Sequence, residues 1–209
     1  MSTSPTAASL DAERPDAPPG VIASLDGAPP LVTVRRLTKT YRGRSALNDL
    51  SLALPAGRIV GLMGPNGCGK TTLLKILAGV LADYEGEVLL GGHAPGPQSK
   101  DFVSFLPDAE FLSTRMTPPR AIAQFSRLFA DFDADKAHRL VDFFALPVDR
   151  SIKEMSKGMG EKLRIALAMS RRARVYLLDE PISGVDPTAR EIVLDGVLRD
   201  FDPHALMLI

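Results

Sequence analysis

Apolar and polar residues alternate over 31–37 and again over 47–54, and Pro55-Ala56-Gly57 closes the second run as a turn. A period of two predicts strands with one buried face. Residues 58–63 form a short apolar run punctuated by glycine, the pattern of a buried strand. Leu73, Leu74, Leu77 and Leu81 then recur at helical spacing and predict a helix over 71–81. Strands are expected over 87–90 and 102–106. Between 118 and 144 the texture turns helical: Ile122, Phe125, Leu128 and Phe129 mark one amphipathic helix, and Leu140, Val141 and Phe144 a second. A third helix is expected over 158–172, then a short apolar strand over 175–178. Asp186-Pro187 reads as an N-cap followed by proline at the first helical position. Residues 205–209 begin a further apolar strand. Strands alternating with helices predict an α/β fold.

Residues 1–30 break this pattern. They hold six prolines, six alanines and no aromatic residue, with four acids against one base, Arg14. Such a segment cannot bury enough apolar surface to offset its ordering entropy, so a disordered tail is expected there. The whole chain has 209 residues, 25 bases and 25 acids. That balance argues against a nucleic-acid partner, which calls for surplus positive charge. A single cysteine excludes an internal disulfide and a cysteine-cluster zinc site. No run approaches the roughly 18 apolar residues of a membrane span, and the first ten residues lack the basic start and apolar stretch of a signal peptide. The chain is therefore expected not to cross a bilayer.

The chemistry concentrates in two places. Gly64-Pro65-Asn66-Gly67-Cys68-Gly69-Lys70-Thr71 matches G-x-x-x-x-G-K-[ST] between a predicted strand and a predicted helix, the context that marks a phosphate-binding loop. Its glycines let backbone N–H groups turn inward around an anion, and the helix start adds a positive dipole end. Lys70 supplies a point charge for the β- and γ-phosphates, Thr71 a hydroxyl ligand for Mg²⁺, and Thr72 the next position of the first turn. Cys68 reads as a small filler at a variable loop position. The second place is Val175-Tyr176-Leu177-Leu178-Asp179-Glu180, an apolar strand ending in two acids. Beside a phosphate loop, Asp179 is expected in the Mg²⁺ shell, and Glu180 as the base that orients and deprotonates an attacking water.

Together these residues resemble the ATP-binding cassette (ABC) ATPases over about residues 31–209. The resemblance implies a P-loop NTPase core with a mixed sheet, flanking helices and a helical subdomain at about 108–157. It implies that Tyr41 stacks on adenine, that Ser183-Gly184-Val185-Asp186 is the loop crossing to a partner subunit, and that ATP and Mg²⁺ are the cofactors. The family's signature, L-S-G-G-Q, is altered here to Met155-Ser156-Lys157-Gly158-Met159. Ser156 and Gly158 keep the hydroxyl and backbone N–H groups at a helix start that meet the γ-phosphate held by the other subunit. This variant is similar to bacterial ABC ATPases serving export-type permeases. Two further departures stand out. Pro107-Asp108 replaces the family's glutamine, leaving Asp108 as an oxygen donor to Mg²⁺ or water, while Gln98 is misplaced. The family's switch histidine would follow the strand beginning at 205, so a truncated domain is expected. His204 precedes that strand, and His93 and His138 match no motif.

The resemblance implies the nucleotide-binding subunit of a transporter. Two such subunits, in a homodimer or a heterodimer, close around ATP and drive separate transmembrane permease subunits, with export favoured. The location implied is peripheral, on the cytoplasmic face of the plasma membrane. Two alternatives stay open: a hydrolysis-deficient regulatory module or fragment, and a non-transport ABC ATPase.

Overall fold

The computed structural model describes residues 30–181, 187–199 and 201–209. Apart from exposed Pro30, the tail expected over 1–30 lies outside the described residues, as do the Ser183-Gly184-Val185-Asp186 loop and the Asp186 cap. Along the chain come β1 (Val32–Tyr41), β2 (Arg44–Leu54), β3 (Arg58–Val60), α1 (Lys70–Leu77), β4 (Glu85–Leu90), the short α2 (Pro97–Lys100) and β5 (Val103–Leu106). There follow α3 (Pro118–Leu128), α4 (Ala134–Phe143), a 3-10 turn at Ile152–Glu154, α5 (Lys157–Met169), β6 (Val175–Leu178), α6 (Pro187–Arg199) and β7 (Leu206–Leu208).

The strands form two sheets. One is antiparallel, in the order β2-β1-β4, with Val32 opposite both Leu54 and Leu90. The other is parallel, in the order β3-β7-β6-β5. β6 is buried at every position, as a parallel strand covered on both faces should be. Alternation along it assigns the two faces. Val175 and Leu177, with Leu206 and Leu208 of β7, pack against α1 and the antiparallel sheet. Tyr176 and Leu178, with Met207, pack against α3, α4, α5 and α6. The expected mixed sheet is thus, among the described residues, two separate sheets sharing one apolar layer.

Three boundaries moved for physical reasons. Regular pairing in β3 stops at Val60 instead of 63, though Leu62 N–H still reaches the Ile209 carbonyl at 2.6 Å. Helix α1 ends at Leu77 rather than 81, because Gly79 takes a left-handed φ of 65° and turns the chain out. On α3, Ile122 is buried but Leu128 is 62% exposed. The helix ends at Leu128, and the extended Phe129 turns inward instead, its ring 5.4 Å from Phe125. Among the described residues, no helix is long and apolar enough to cross a membrane.

Candidate functional site

The phosphate loop leaves β3 and enters α1 as its spacing predicts. Residues 63–68 are exposed, and Lys70, Thr71 and Thr72 form the first turn of α1. Gly69 caps that helix with a φ of 102°. A Cβ there would run into the Ala46 carbonyl oxygen and come within 2.9 Å of Leu47 Cδ2. At Gly64 a Cβ would meet Cys68 Sγ at 2.6 Å. Both glycines therefore answer to space as well as to conformation. Cys68 itself is exposed, and its N–H donates to the Pro65 carbonyl at 3.3 Å. Lys70 folds back over the loop: its Nζ donates to the carbonyls of Gly64 at 2.9 Å and Pro65 at 3.3 Å. Asn66 and Gly67 form the exposed crown of the loop.

β6 delivers the acids to the same place. The Thr71 hydroxyl donates to Asp179 Oδ1 at 2.9 Å, across 108 residues of sequence. Asp179 is 2% exposed, and its second oxygen, Oδ2, has no hydrogen-bond partner among the described residues. Burial raises the Asp179 carboxyl above the ordinary carboxylate range; the Thr71 hydrogen bond opposes this, while the charges of Asp108 and Glu180 add to it. Glu180 stands at the strand end with a φ of 49°, a strained conformation for a non-glycine residue. Its carboxylate is 41% exposed and lies 4.0 Å from Lys70 Nζ. A cavity of about 350 Å³ is lined by Lys70, Leu74, Asp179 and Glu180.

Neighbouring strands place Asp108. β5 and β6 run parallel with Leu106 opposite Leu178, so Asp108 and Glu180 each stand two residues past a matched pair. Asp108 is exposed and acts electrostatically on Asp179. A buried, unpartnered carboxylate oxygen beside a threonine hydroxyl is a donor set suited to a hard divalent cation, so the residues present fit Mg²⁺.

The remaining expected residues lie apart. Tyr41 ends β1 and is 44% exposed, with Lys39 Nζ 4.9 Å from its ring centre. Ser156 caps α5, its hydroxyl accepting from the Met159 N–H at 3.2 Å. Ser156 and Lys157 line a different cavity, of about 240 Å³. Gly158 has open space around it. One chain therefore joins Lys70, Thr71, Asp179 and Glu180, sets Asp108 at the end of the neighbouring strand, and leaves the Ser156 end of α5 to line a different cavity. Sequence reasoning missed Arg164, whose Nη1 donates to the Asp108 carbonyl at 3.1 Å. Its signal was an arginine inside the apolar run Leu163-Arg164-Ile165-Ala166-Leu167.

Comparisons with known proteins bear on the family and the fold. The ABC transporter family model matches residues 47–183. The chain is 30% identical over 166 residues to the ABC transporter ATP-binding protein YtrB of Bacillus subtilis (strain 168), covering 78% of this chain and 57% of the relative. It is 35% identical over 158 residues to the taurine import ATP-binding protein TauB of Roseobacter denitrificans, covering 74% and 59%. The chain thus spans less than two thirds of the length of these relatives. A solved ATP-binding subunit of an ABC transporter superposes with a TM-score of 0.73 at 25% identity, over 85% of this chain and 78% of that one. A sequence match across most of the chain, carried on the same fold, makes this chain a member of the ABC transporter family.

Proposed function

We propose that the chain binds and hydrolyses ATP with Mg²⁺ and uses the cycle to drive a transmembrane permease. The observation that carries this reading is the Thr71–Asp179 hydrogen bond. It joins the phosphate loop to the acidic strand and leaves one buried oxygen, Asp179 Oδ2, without a partner among the described residues.

The roles follow from placement. Lys70 exchanges the Gly64 and Pro65 carbonyls for the β- and γ-phosphates, and the backbone N–H groups of the loop and α1 close around the same charge. Thr71 and Asp179 hold Mg²⁺, with Asp108 as a further oxygen donor nearby. Bound there, Mg²⁺ neutralises phosphate charge. Glu180 takes the proton of the attacking water as the water oxygen bonds to the γ-phosphorus and the bond to the β–γ bridging oxygen breaks. Tyr41 stacks on adenine. Ser156, Gly158 and the N-terminus of α5 meet the γ-phosphate held by a second ABC subunit, so each ATP is closed between two chains. The separation of Ser156 from the Lys70 cavity supports this division of labour.

The permease contact falls on an apolar groove of about 450 Å³ between α1, β5 and α3, lined by Val80, Phe105, Phe111, Phe125 and Phe129. Exposed aromatic and aliphatic side chains there favour a protein partner over water. Such a contact would hold the chain at a membrane face. The signature variant favours export, whereas the taurine relative is named for import. Transport into or out of reconstituted vesicles decides the direction.

The test is binding of a fluorescent ATP analogue with Mg²⁺ or with chelator, followed by steady-state turnover. The unmodified chain should bind more tightly with Mg²⁺ and release phosphate. Lys70→Ala should abolish binding. Unchanged affinity in that variant would remove the phosphate-loop assignment. Binding without turnover would instead identify a regulatory module.

A further inference from the structure

The chain carries two halves of two nucleotide sites, and one buried side chain spans them. Asp108 follows β5 beside Asp179 and Glu180, on the half that holds this chain's own nucleotide. Ser156 caps α5, on the half offered to the other subunit. Arg164 lies eight residues into the same helix, about 12 Å along its axis at 1.5 Å per residue. Its side chain is 7% exposed. One nitrogen, Nη2, pairs with Glu161 Oε2 on α5 itself at 2.5 Å, and the other, Nη1, donates to the Asp108 carbonyl at 3.1 Å. The guanidinium carbon stands 5.9 Å from the Phe111 ring, farther along the same loop.

An arginine buried in an apolar stretch of helix is costly unless its hydrogen bonds are made. Here they are made to two different elements, by a planar fork that holds its partners in a fixed geometry. The far end of the loop is also tied. Ile152 N–H donates to the Met116 carbonyl and Lys153 N–H to the Thr114 carbonyl, each at 2.8 Å, just before α5 begins. Between these ties the loop and α5 are separated by the cavity of about 240 Å³, which gives both room to shift. A displacement of the Asp108 main chain therefore reaches α5 through Arg164, and a helix carries it along its length to Ser156.

We propose that Arg164 is a positioning residue that couples the two half-sites, so that occupancy of this chain's phosphate loop sets how Ser156 is presented to the ATP of the other subunit. The inference rests on the two-subunit arrangement proposed above. It concerns communication between the sites and leaves each site's own contacts unchanged.

Two variants test it in the full chain. Arg164→Lys keeps a charge and loses the fork. Glu161→Gln with Arg164→Met removes both charges at similar volume, so no uncompensated carboxylate is left buried. Each is measured for affinity toward a fluorescent ATP analogue, for the Hill coefficient of hydrolysis, and, in a Glu180→Gln background, for ATP-driven association by ultracentrifugation. Affinity of the isolated chain should stay within about twofold, while ATP-driven association weakens by about tenfold, inside the usual range of coupling between sites. The Hill coefficient should fall from about two, its limit for two sites, toward one. Cooperativity and association retained in both variants would overturn the coupling. So would a parallel loss of affinity and thermal stability, which marks a purely structural role. An unmodified chain that neither associates with ATP nor shows cooperativity overturns the two-subunit reading, and the coupling with it.

Discussion

Asp179→Asn should stabilise the ligand-free chain while weakening its response to Mg-ATP. Asp179 is 2% exposed, and among the described residues only Oδ1 has a partner, the Thr71 hydroxyl at 2.9 Å. A buried polar atom without a partner costs about 1–3 kcal/mol, and more when charged. Asparagine keeps an oxygen for Thr71 and removes the charge, but its amide N–H₂ enters the same unpartnered position. The net gain is therefore near the low end, about 1 kcal/mol, which is roughly a 2–4 °C rise in melting temperature for a domain of this size. With ligand the sign reverses. Saturation at about 100 times Kd stabilises a protein by about 2.7 kcal/mol. The share of that gain that depends on Mg²⁺ should be largely lost in the variant. Thermal melts of both chains, alone, with ATP and chelator, and with Mg-ATP, read all the terms. The pH dependence adds a check. Because burial raises the Asp179 carboxyl above its ordinary 3.8, the native state binds the proton more tightly than the unfolded chain. That contribution favours folding at low pH and is lost as pH rises from 3.8 through the raised value. Asparagine should flatten that slope. A variant that melts lower without ligand, or keeps the full Mg²⁺ increment, would refute the argument that Oδ2 waits for a cation.

Three further outcomes are expected. Gly69→Ala forces a Cβ against the Ala46 carbonyl oxygen at a φ of 102°, and should lower stability by about 1–3 kcal/mol, read by chemical unfolding. Tyr41→Ala should weaken ATP by about 1–3 kcal/mol while leaving inorganic triphosphate unaffected; equal losses for both ligands would argue against adenine stacking. Tyr176 is buried, and its hydroxyl donates to the Arg171 carbonyl at 2.7 Å. Burial pushes its phenol up to about 12, so absorbance should show this tyrosine ionising well above pH 10, with stability falling between pH 10 and 12 by up to about 2.7 kcal/mol.

Much of the proposed phosphate site was legible in the sequence because it is local. The glycines, Lys70 and Thr71 are contiguous, and a strand before them and a helix after them suffice to aim their N–H groups at one point. The acid pair was legible for the same reason: four apolar residues of β6 end abruptly in Asp179-Glu180. Helix and strand identities held wherever periodicity alone decides them. What periodicity could not give was the exact end of an element. Leu81 matches the stripe of α1, yet the left-handed Gly79 ends the helix first. Leu128 matches the stripe of α3, yet the helix ends there and leaves it exposed, while the half-buried Phe129 packs on Phe125.

Everything that depends on register between distant segments was decided by the tertiary structure. Asp179 comes within hydrogen-bond reach of Thr71 only because β3 and β6 run parallel in one sheet, which brings the loop ahead of α1 and the end of β6 to the same C-terminal end of it. Asp108 stands beside Glu180 because β5 pairs with β6 at Leu106 and Leu178. Arg164 reads in sequence as a charge misplaced in an apolar helix. In the fold its partners are a glutamate one turn back and a carbonyl 56 residues away. Local chemistry is written in neighbouring letters, whereas a buried charge is made tolerable only by the particular groups the fold brings to it.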